Sequence, residues 1–401
     1  MLEKIKQNAK AVGLSGFREV MALAATKGCI NLGPGFCTLS LHPRVLEAAQ
    51  RAIASQNHYY TECDGIPPLK AAIAERYGIQ QEMTIAPENV VVTCGATGAF
   101  ESVCKCFLGP GDEVVMFDPF YQYHARQVTE RGATVRYVRL SPPGWSFSVE
   151  DVERAITAKT VLLVFSNPNN PTGKVFSRDE LVSLGNICRK AGVIMVCDEV
   201  YEYLVTPSHR HVSMASIPGM FDHTLTLSSA GKTFQVTGWR VGWLTGPSSV
   251  IGPIAVKADE TYLCAPAPLQ YAVADCMKIG ADFFEDIQWK FEKKRRLIFS
   301  ALQAGGFTPY VAEGAFYVLA GYEKFGYRND VEALRGLVND FGVLALPGSV
   351  FSPAAASTGM LRFCFAVEDT VLEKACDQLA SGMKSKVKRA YVPSRLHAGA
   401  S

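Results

Sequence analysis

Between about Val90 and Thr245 the chain alternates short β-rich apolar runs with stretches of helical periodicity. The runs are Val90 to Thr93, Val114 to Phe117, Thr134 to Val138, Val161 to Phe165, Val193 to Cys197, Thr224 to Ser228 and Arg240 to Thr245. Strands alternating with helices build a mainly parallel sheet covered on both faces, so this region is predicted to form one large α/β sheet of seven strands. After Asp282 the pattern changes. A long charged helical stretch passes through Phe291-Glu292-Lys293-Lys294-Arg295-Arg296, and strands near Phe316 to Leu319 and Leu361 to Phe365 alternate with helices, an α+β arrangement. The predicted division is a large domain over 40–285, a small C-terminal domain over 286–401, and an N-terminal arm, 1–39, packing with the small domain.

Composition narrows the class of partner. The 401 residues are 48% hydrophobic and 19% charged, enough to bury a large core, and the 40 basic and 38 acidic residues leave a net charge of +2. Such a balance provides no long-range field for nucleic acid or an anionic membrane, which makes a small molecule the expected partner. The 12 cysteines are scattered from Cys29 to Cys376, mostly in apolar runs, and are read as reduced packing residues. Residues Met1 to Lys10 carry dispersed charge and no apolar export core, and no run is long enough to span a bilayer, so a cytoplasmic location is expected. Only the last residues, Arg395 to Ser401, read as a loose tail.

Candidate chemistry sits just after the apolar runs, at the carboxyl ends of strands, where open α/β sheets bind ligands. Val90-Val91-Val92-Thr93 runs into Cys94-Gly95-Ala96-Thr97-Gly98, a strand, turn and helix start that aims backbone N–H groups at a phosphate. Alone this is only a tight connection; Ser229 and Arg240 add the hydroxyl and bidentate cation that a phosphate needs. Asn167-Pro168-Asn169-Asn170-Pro171-Thr172-Gly173 makes a rigid turn holding Asn170, and Asp198-Glu199-Val200-Tyr201 ends the next strand. A pyridine cofactor needs an acid at its ring nitrogen, donors at its ring hydroxyl and an aromatic ring stacked on its face. Asp198, then Asn170 and Tyr201, then Tyr121 meet those needs. An acid at a strand end is more often a helix cap, yet the joint pattern outweighs that. Lys232, in Ser229-Ala230-Gly231-Lys232-Thr233, is an amine suited to bond a cofactor aldehyde once its pKa is lowered, and Arg240 is the cation expected to lower it.

From Ile30-Asn31-Leu32-Gly33-Pro34-Gly35-Phe36 to Leu361-Arg362-Phe363-Cys364-Phe365 the chain resembles a fold-type I, class I aminotransferase of the kynurenine aminotransferase, glutamine transaminase K and cysteine-conjugate β-lyase group. The resemblance implies pyridoxal 5′-phosphate bound covalently at Lys232, with Asp198 keeping its ring nitrogen protonated and Asn170 and Tyr201 on the ring oxygen. It implies a phosphate cup of Gly95, Ala96, Thr97, Ser229 and Arg240, and Tyr60 reaching across a homodimer to the partner's phosphate. Arg362 matches the arginine that grips the substrate α-carboxylate, with Asn170 and the backbone at Gly35 completing that site. Catalysis would then rest on Lys232, Asp198 and Tyr201.

Departures from the family bear on substrate. No arginine lies between Arg240 and Arg295, where dicarboxylate-preferring members carry one, so a neutral, aromatic or sulfur-containing L-amino acid is the expected donor and a 2-oxo acid the acceptor. Phe17 and Cys264 align with the aromatic and histidine of the kynurenine group's side-chain pocket, and the loop departs from the usual pattern after Phe36. A carbon–sulfur β-lyase, or another elimination or oxidation, is the alternative outcome of the same chemistry. A non-catalytic regulator ranks last because no basic recognition segment remains outside the enzyme-like region. His209-Arg210-His211 reads as a surface loop rather than a metal site, and Cys104-Lys105-Cys106 as core packing.

Overall fold

The protein was analysed as a computed structural model, which describes residues 16–390 apart from residue 56 and residues 354–356. The opening segment Met1 to Lys10 and the tail Arg395 to Ser401 lie outside the described residues. In chain order the strands are β1 (Ile30–Asn31), β2 (Val90–Thr93), β3 (Glu113–Asp118), β4 (Thr134–Arg139), β5 (Thr160–Ser166), β6 (Ile194–Asp198), β7 (Thr224–Ser229) and β8 (Gly242–Thr245). They continue with β9 (Thr308–Pro309), β10 (Tyr317–Gly321), β11 (Val343–Leu344), β12 (Leu346–Pro347) and β13 (Met360–Cys364).

The large sheet has seven strands in the order β2-β8-β7-β6-β5-β3-β4, as the α/β reading predicted. Its central strands β3, β5 and β6 are largely apolar because both faces are covered, whereas the edge strand β4 carries Arg136 and Arg139 and is only partly buried. Val114 and Met116 of β3, with Leu162 and Val164 of β5, join one buried cluster, while Val115, Phe117, Leu163 and Phe165 join another on the opposite face. Only β8 runs against its neighbours, pairing antiparallel with both β2 and β7. The β5–β6 register sets Ser166 beside Asp198, so the turns after these strands emerge level with each other. Helix ends follow local chemistry: Ser177 and Glu180 form a capping box at the start of the helix Arg178–Ala191, and Gly192 ends it in the left-handed conformation at φ 70°.

The second layer is the antiparallel sheet β12-β13-β10-β9, with the helix Ala281–Ala304 packed on β9 and β10 and the helix Asp369–Ala390 packed on that helix. Strand β1 pairs parallel with β11, and the helix Phe17–Thr26 packs beside the helix Asp330–Gly336 and β11. The segment Gly33 to Phe36 is thereby carried from β1 toward the carboxyl edge of the large sheet.

Candidate active site

A cavity of about 370 Å³ opens at that edge. Five parallel strands and one antiparallel strand deliver residues to it. After β2, Gly95 begins the helix Gly95–Phe107 at φ 70°, and a Cβ built on it would lie 2.5 Å from Arg240 Nη2. The first N–H groups of a helix have no partners within it and carry the positive end of its dipole, a ready anion site. Ser229 ends β7; its hydroxyl donates to Val241 O at 3.2 Å and accepts from Gly231 N at 3.1 Å. Arg240 reaches the same edge because β8 runs backward, so the residues leading into β8 stand beside the residues leaving β7. The sequence reading put Arg240 inside that strand. The strand instead begins at Gly242, and Arg240 adopts φ 56°, donating from Nη1 to Thr237 O at 2.9 Å.

Lys232 lies in the short helix Ala230–Thr233, with Nζ donating to Gly35 O at 2.5 Å. Its ammonium faces the rings of Tyr201 and Phe316 at 5.5 and 5.0 Å. Burial is the main force on its pKa, lowering it to about 8; Arg362 lowers it further, while Cys364, Asp198 and Cys37 pull the other way. This corrects the expectation that Arg240 is the tuning cation: an apolar lining and Arg362 do that work.

Asp198 ends β6 almost fully buried, with Oδ2 3.3 Å from His124 Nε2 and Oδ1 accepting from Val200 N at 3.3 Å. His124 packs between Phe100 at 4.5 Å and the edge of Tyr121 at 5.2 Å. The Tyr201 hydroxyl meets the Tyr317 hydroxyl at 2.9 Å. Arg362, 3% exposed, donates from Nη1 to Asn170 Oδ1 at 2.9 Å and from Nη2 to Gly33 O at 3.0 Å, between the rings of Tyr317 and Phe351 at 4.0 and 4.6 Å. Its Nε–H is buried with no hydrogen-bond partner among the described residues. An unsatisfied buried donor carries a desolvation cost that a hydrogen-bonding ligand offsets.

The family model "Aminotransferase class I and II" matches residues 27–379. The chain belongs to the class I and II aminotransferases. It is 32% identical over 389 residues to kynurenine–oxoglutarate transaminase 3 of Rattus norvegicus, covering 89% of this chain and 86% of that one. The structure of N-succinyldiaminopimelate aminotransferase from Mycobacterium tuberculosis superimposes with a TM-score of 0.87 at 33% identity, over 91% of this chain and 96% of that one. An Escherichia coli protein with methionine aminotransferase function gives 0.88 at 26% identity, over 93% and 98%. The chain is therefore a pyridoxal-phosphate-dependent transaminase with the fold-type I architecture, and these relatives do not favour the β-lyase alternative.

The residues of this aminotransferase fit its cofactor: glycine at 95 makes room for Arg240 at the helix start, and an acid, an amide and a phenol converge on one cavity. Gly35, Ala96, Thr97, Tyr121, Asn170, Asp198, Tyr201, Ser229, Lys232, Arg240 and Arg362 all line that cavity. Four other candidates do not line it: Gly95 stands behind Arg240 at the helix start, and Tyr60, Phe17 and Cys264 lie elsewhere. Tyr60 is 82% exposed, Phe17 begins an arm helix packed on the main core, and Cys264 O lies 3.8 Å from Cys94 Sγ. Sequence reasoning passed over His124, Tyr317, Phe36, Leu346 and Phe351, which also line the cavity. His124 had a signal, since it lies one helical turn from Tyr121. The histidine loop needs correction: His211 is buried, its Nε2 3.4 Å from Glu199 Oε2 and its Nδ1 3.3 Å from Gln81 Nε2. Burial lowers its pKa to about 4 and pushes the Glu199 carboxyl well up, so His211 belongs to a buried polar cluster and not to an exposed loop. No group of three or more metal-binding side chains occurs among the described residues.

Proposed function

We propose that this aminotransferase moves the amino group of a neutral, aromatic or sulfur-containing L-amino acid to a 2-oxo acid, with Lys232 as the cofactor-bearing and proton-transferring amine. The observation that carries this reading is the burial of the Lys232 amine in one cavity with Asp198, Asn170, Tyr201 and Arg362. Phe36, Tyr121, Tyr123, Leu346 and Phe351 supply an apolar wall, and Lys232, Arg240 and Arg362 are the lining lysines and arginines, each already given a task. That leaves none among the described residues for a second substrate carboxylate. The kynurenine and methionine transaminases named among the relatives favour the same donor class.

Bound pyridoxal phosphate supplies an electron sink for the carbanion left when the α-proton departs. Asp198 holds the proton on the ring nitrogen, and His124 orients Asp198 from Oδ2. With Oδ1 of Asn170 committed to Arg362, its amide nitrogen is left to donate to the ring oxygen beside Tyr201. Arg362 grips the α-carboxylate and fixes its rotation through paired donors. Lys232 would hold the cofactor and would act as the base that takes the substrate α-proton and the acid that returns it; an amine buried enough to be partly neutral near neutral pH suits both roles. Gly95, Ala96, Thr97, Ser229 and Arg240 hold the phosphate.

The active unit is a homodimer in this reading, with exposed Tyr60 and its neighbour Tyr59, 84% exposed, covered by the partner and Tyr60 reaching that partner's phosphate. Phe17 and Cys264 border the substrate side-chain pocket of the assembled dimer. No helix of the described residues is long and apolar enough to cross a membrane, and we place the enzyme in the cytoplasm. Borohydride reduction and peptide mapping label Lys232 on this reading; an unlabelled Lys232 in yellow protein overturns it. An amino-acid panel followed by loss of the aldehyde-form absorbance identifies the donor. Release of pyruvate and ammonia from a cysteine conjugate, in place of amino-acid product, would move the assignment to β-elimination.

A further inference from the structure

We infer that Tyr317 is a positioning residue that couples the grip on the substrate carboxylate to the hydroxyl serving the cofactor's ring oxygen. The inference rests on the roles proposed above for Tyr201 and Arg362. Tyr317 begins β10, which pairs with the strand of Arg362, and it is fully buried. Its hydroxyl lies 2.9 Å from that of Tyr201, which belongs to the turn after β6 in the other sheet. Its ring lies 4.0 Å beneath the Arg362 guanidinium. The Gly35 backbone, whose carbonyl accepts from Lys232, presses on the same point: a Cβ there would sit 2.9 Å from the Tyr317 hydroxyl and 3.5 Å from Arg362 Nη2.

The direction of the hydrogen bond follows from the work each group does. A Tyr201 hydroxyl that donates its only hydrogen to the ring oxygen has lone pairs left, so Tyr317 donates to it. A hydroxyl that accepts a hydrogen bond becomes a stronger donor, and this strengthens the bond to an anionic ring oxygen. Removing the Tyr317 hydroxyl weakens that stabilisation. The proton shared with the ring oxygen is then held more tightly, and the pH titration of the bound cofactor's absorbance moves upward.

Two variants of the holoenzyme separate the two contacts. Tyr317→Phe keeps the ring under Arg362 and removes the hydroxyl; the absorbance titration should rise by about half a unit to one unit. Binding of 3-phenylpropionate, a carboxylate with no amino group, should change less than about twofold. In a Tyr201→Phe background the same substitution should add nothing, because the relay runs through Tyr201. Tyr317→Leu removes the ring as well and should weaken 3-phenylpropionate about tenfold, near the upper range of a desolvated cation–ring contact. A Tyr317→Phe titration superimposable on wild type, with Tyr201→Phe shifted, overturns the relay and leaves the proposed function standing. Absence of a shift in Tyr201→Phe overturns the relay together with the ring-oxygen role proposed for Tyr201. Should Tyr317→Leu fail to fold, the Tyr317→Phe and double-variant titrations decide the matter alone.

Discussion

Arg362 Nη1 donates to Asn170 Oδ1 at 2.9 Å, joining the small antiparallel sheet to the turn that follows β5 of the large one. One contact thus sets two tasks in register: it aims the guanidinium and selects which face of the Asn170 amide points to the cofactor. Replacing Arg362 with Lys keeps the charge but loses the planar fork. Substrate affinity should fall about 10- to 100-fold, the worth of roughly 1.5–3 kcal/mol for a charge-assisted hydrogen bond. Saturation of the half-reaction with the amino acid measures it, while cofactor content should stay at wild-type level. Unchanged saturation in this variant would remove Arg362 from the carboxylate site.

Gly95 carries a second prediction. Alanine there brings a Cβ within 2.5 Å of Arg240 Nη2 in a backbone at φ 70°. The left-handed conformation costs a non-glycine residue about 1–2 kcal/mol, and Arg240 has to retreat from the helix start. Cofactor affinity, followed by equilibrium dialysis against pyridoxal phosphate, should weaken at least about tenfold with the loss of one charge-assisted contact. With cofactor in excess, saturation by the amino acid should be preserved. Undiminished cofactor affinity would show that Arg240 does not depend on glycine at 95.

The inner strands were legible because burial on both faces leaves a local mark, a short apolar run, and the edge strand β4 was legible by its β-branched and aromatic residues, Thr134, Val135, Tyr137 and Val138. Lys232, Asp198 and Asn170 were legible for a related reason: each stands directly after such a run, where the fold puts ligands. What stayed hidden depends on partners distant in sequence. The reversal of β8 leaves no local mark, and it decides that Arg240 precedes its strand. Tyr317 meets Tyr201 across 116 positions, and no spacing rule joins them. His211 sits in a polar loop by composition, yet Gln81 and Glu199 enclose it.

The buried Lys232 amine sets a pH dependence. In the folded apoenzyme its pKa is about 8, below the ordinary 10.5, because burial penalises the charged form. Addition to the cofactor aldehyde requires the neutral amine, so the rate of cofactor loading should rise roughly tenfold per pH unit below that value and level off above it. The folded chain binds this proton more weakly than the unfolded chain. Its contribution to apoenzyme stability therefore grows between about 8 and 10.5 and is flat below 8, where both forms are protonated. Stopped-flow absorbance on apoenzyme measures the rate; a profile flat from neutral pH through 9 or so would place the lysine in a different environment.

Asp330 provides the last test, on the wall that holds Phe351 against Arg362. Its carboxylate, 1% exposed, accepts from Ser349 N, Tyr322 Oη and Ser357 Oγ at 2.7 Å each. Thr358 N, Thr358 Oγ1 and Gly359 N approach at 3.1, 3.1 and 3.2 Å. These donors lie on both sides of Phe351, so one acid ties the segment together. Burial pushes its carboxyl up, but the hydrogen bonds from Tyr322, Ser357 and the backbone of Thr358 and Ser349 outweigh burial and hold it below the usual range. Asparagine has the same shape, yet it turns one acceptor into a donor facing donors. Asp330→Asn should cost about 2–4 kcal/mol in denaturant unfolding at neutral pH. A depressed carboxyl contributes stability above its unfolded pKa and loses it as pH falls through the folded value, so the gap between variant and wild type should narrow in acid. With Phe351 less firmly held on the guanidinium, the variant should also bind 3-phenylpropionate more weakly while retaining cofactor. A loss of stability that persists undiminished in acid would mean that the amide donor set against donors, and not the lost charge, accounts for it.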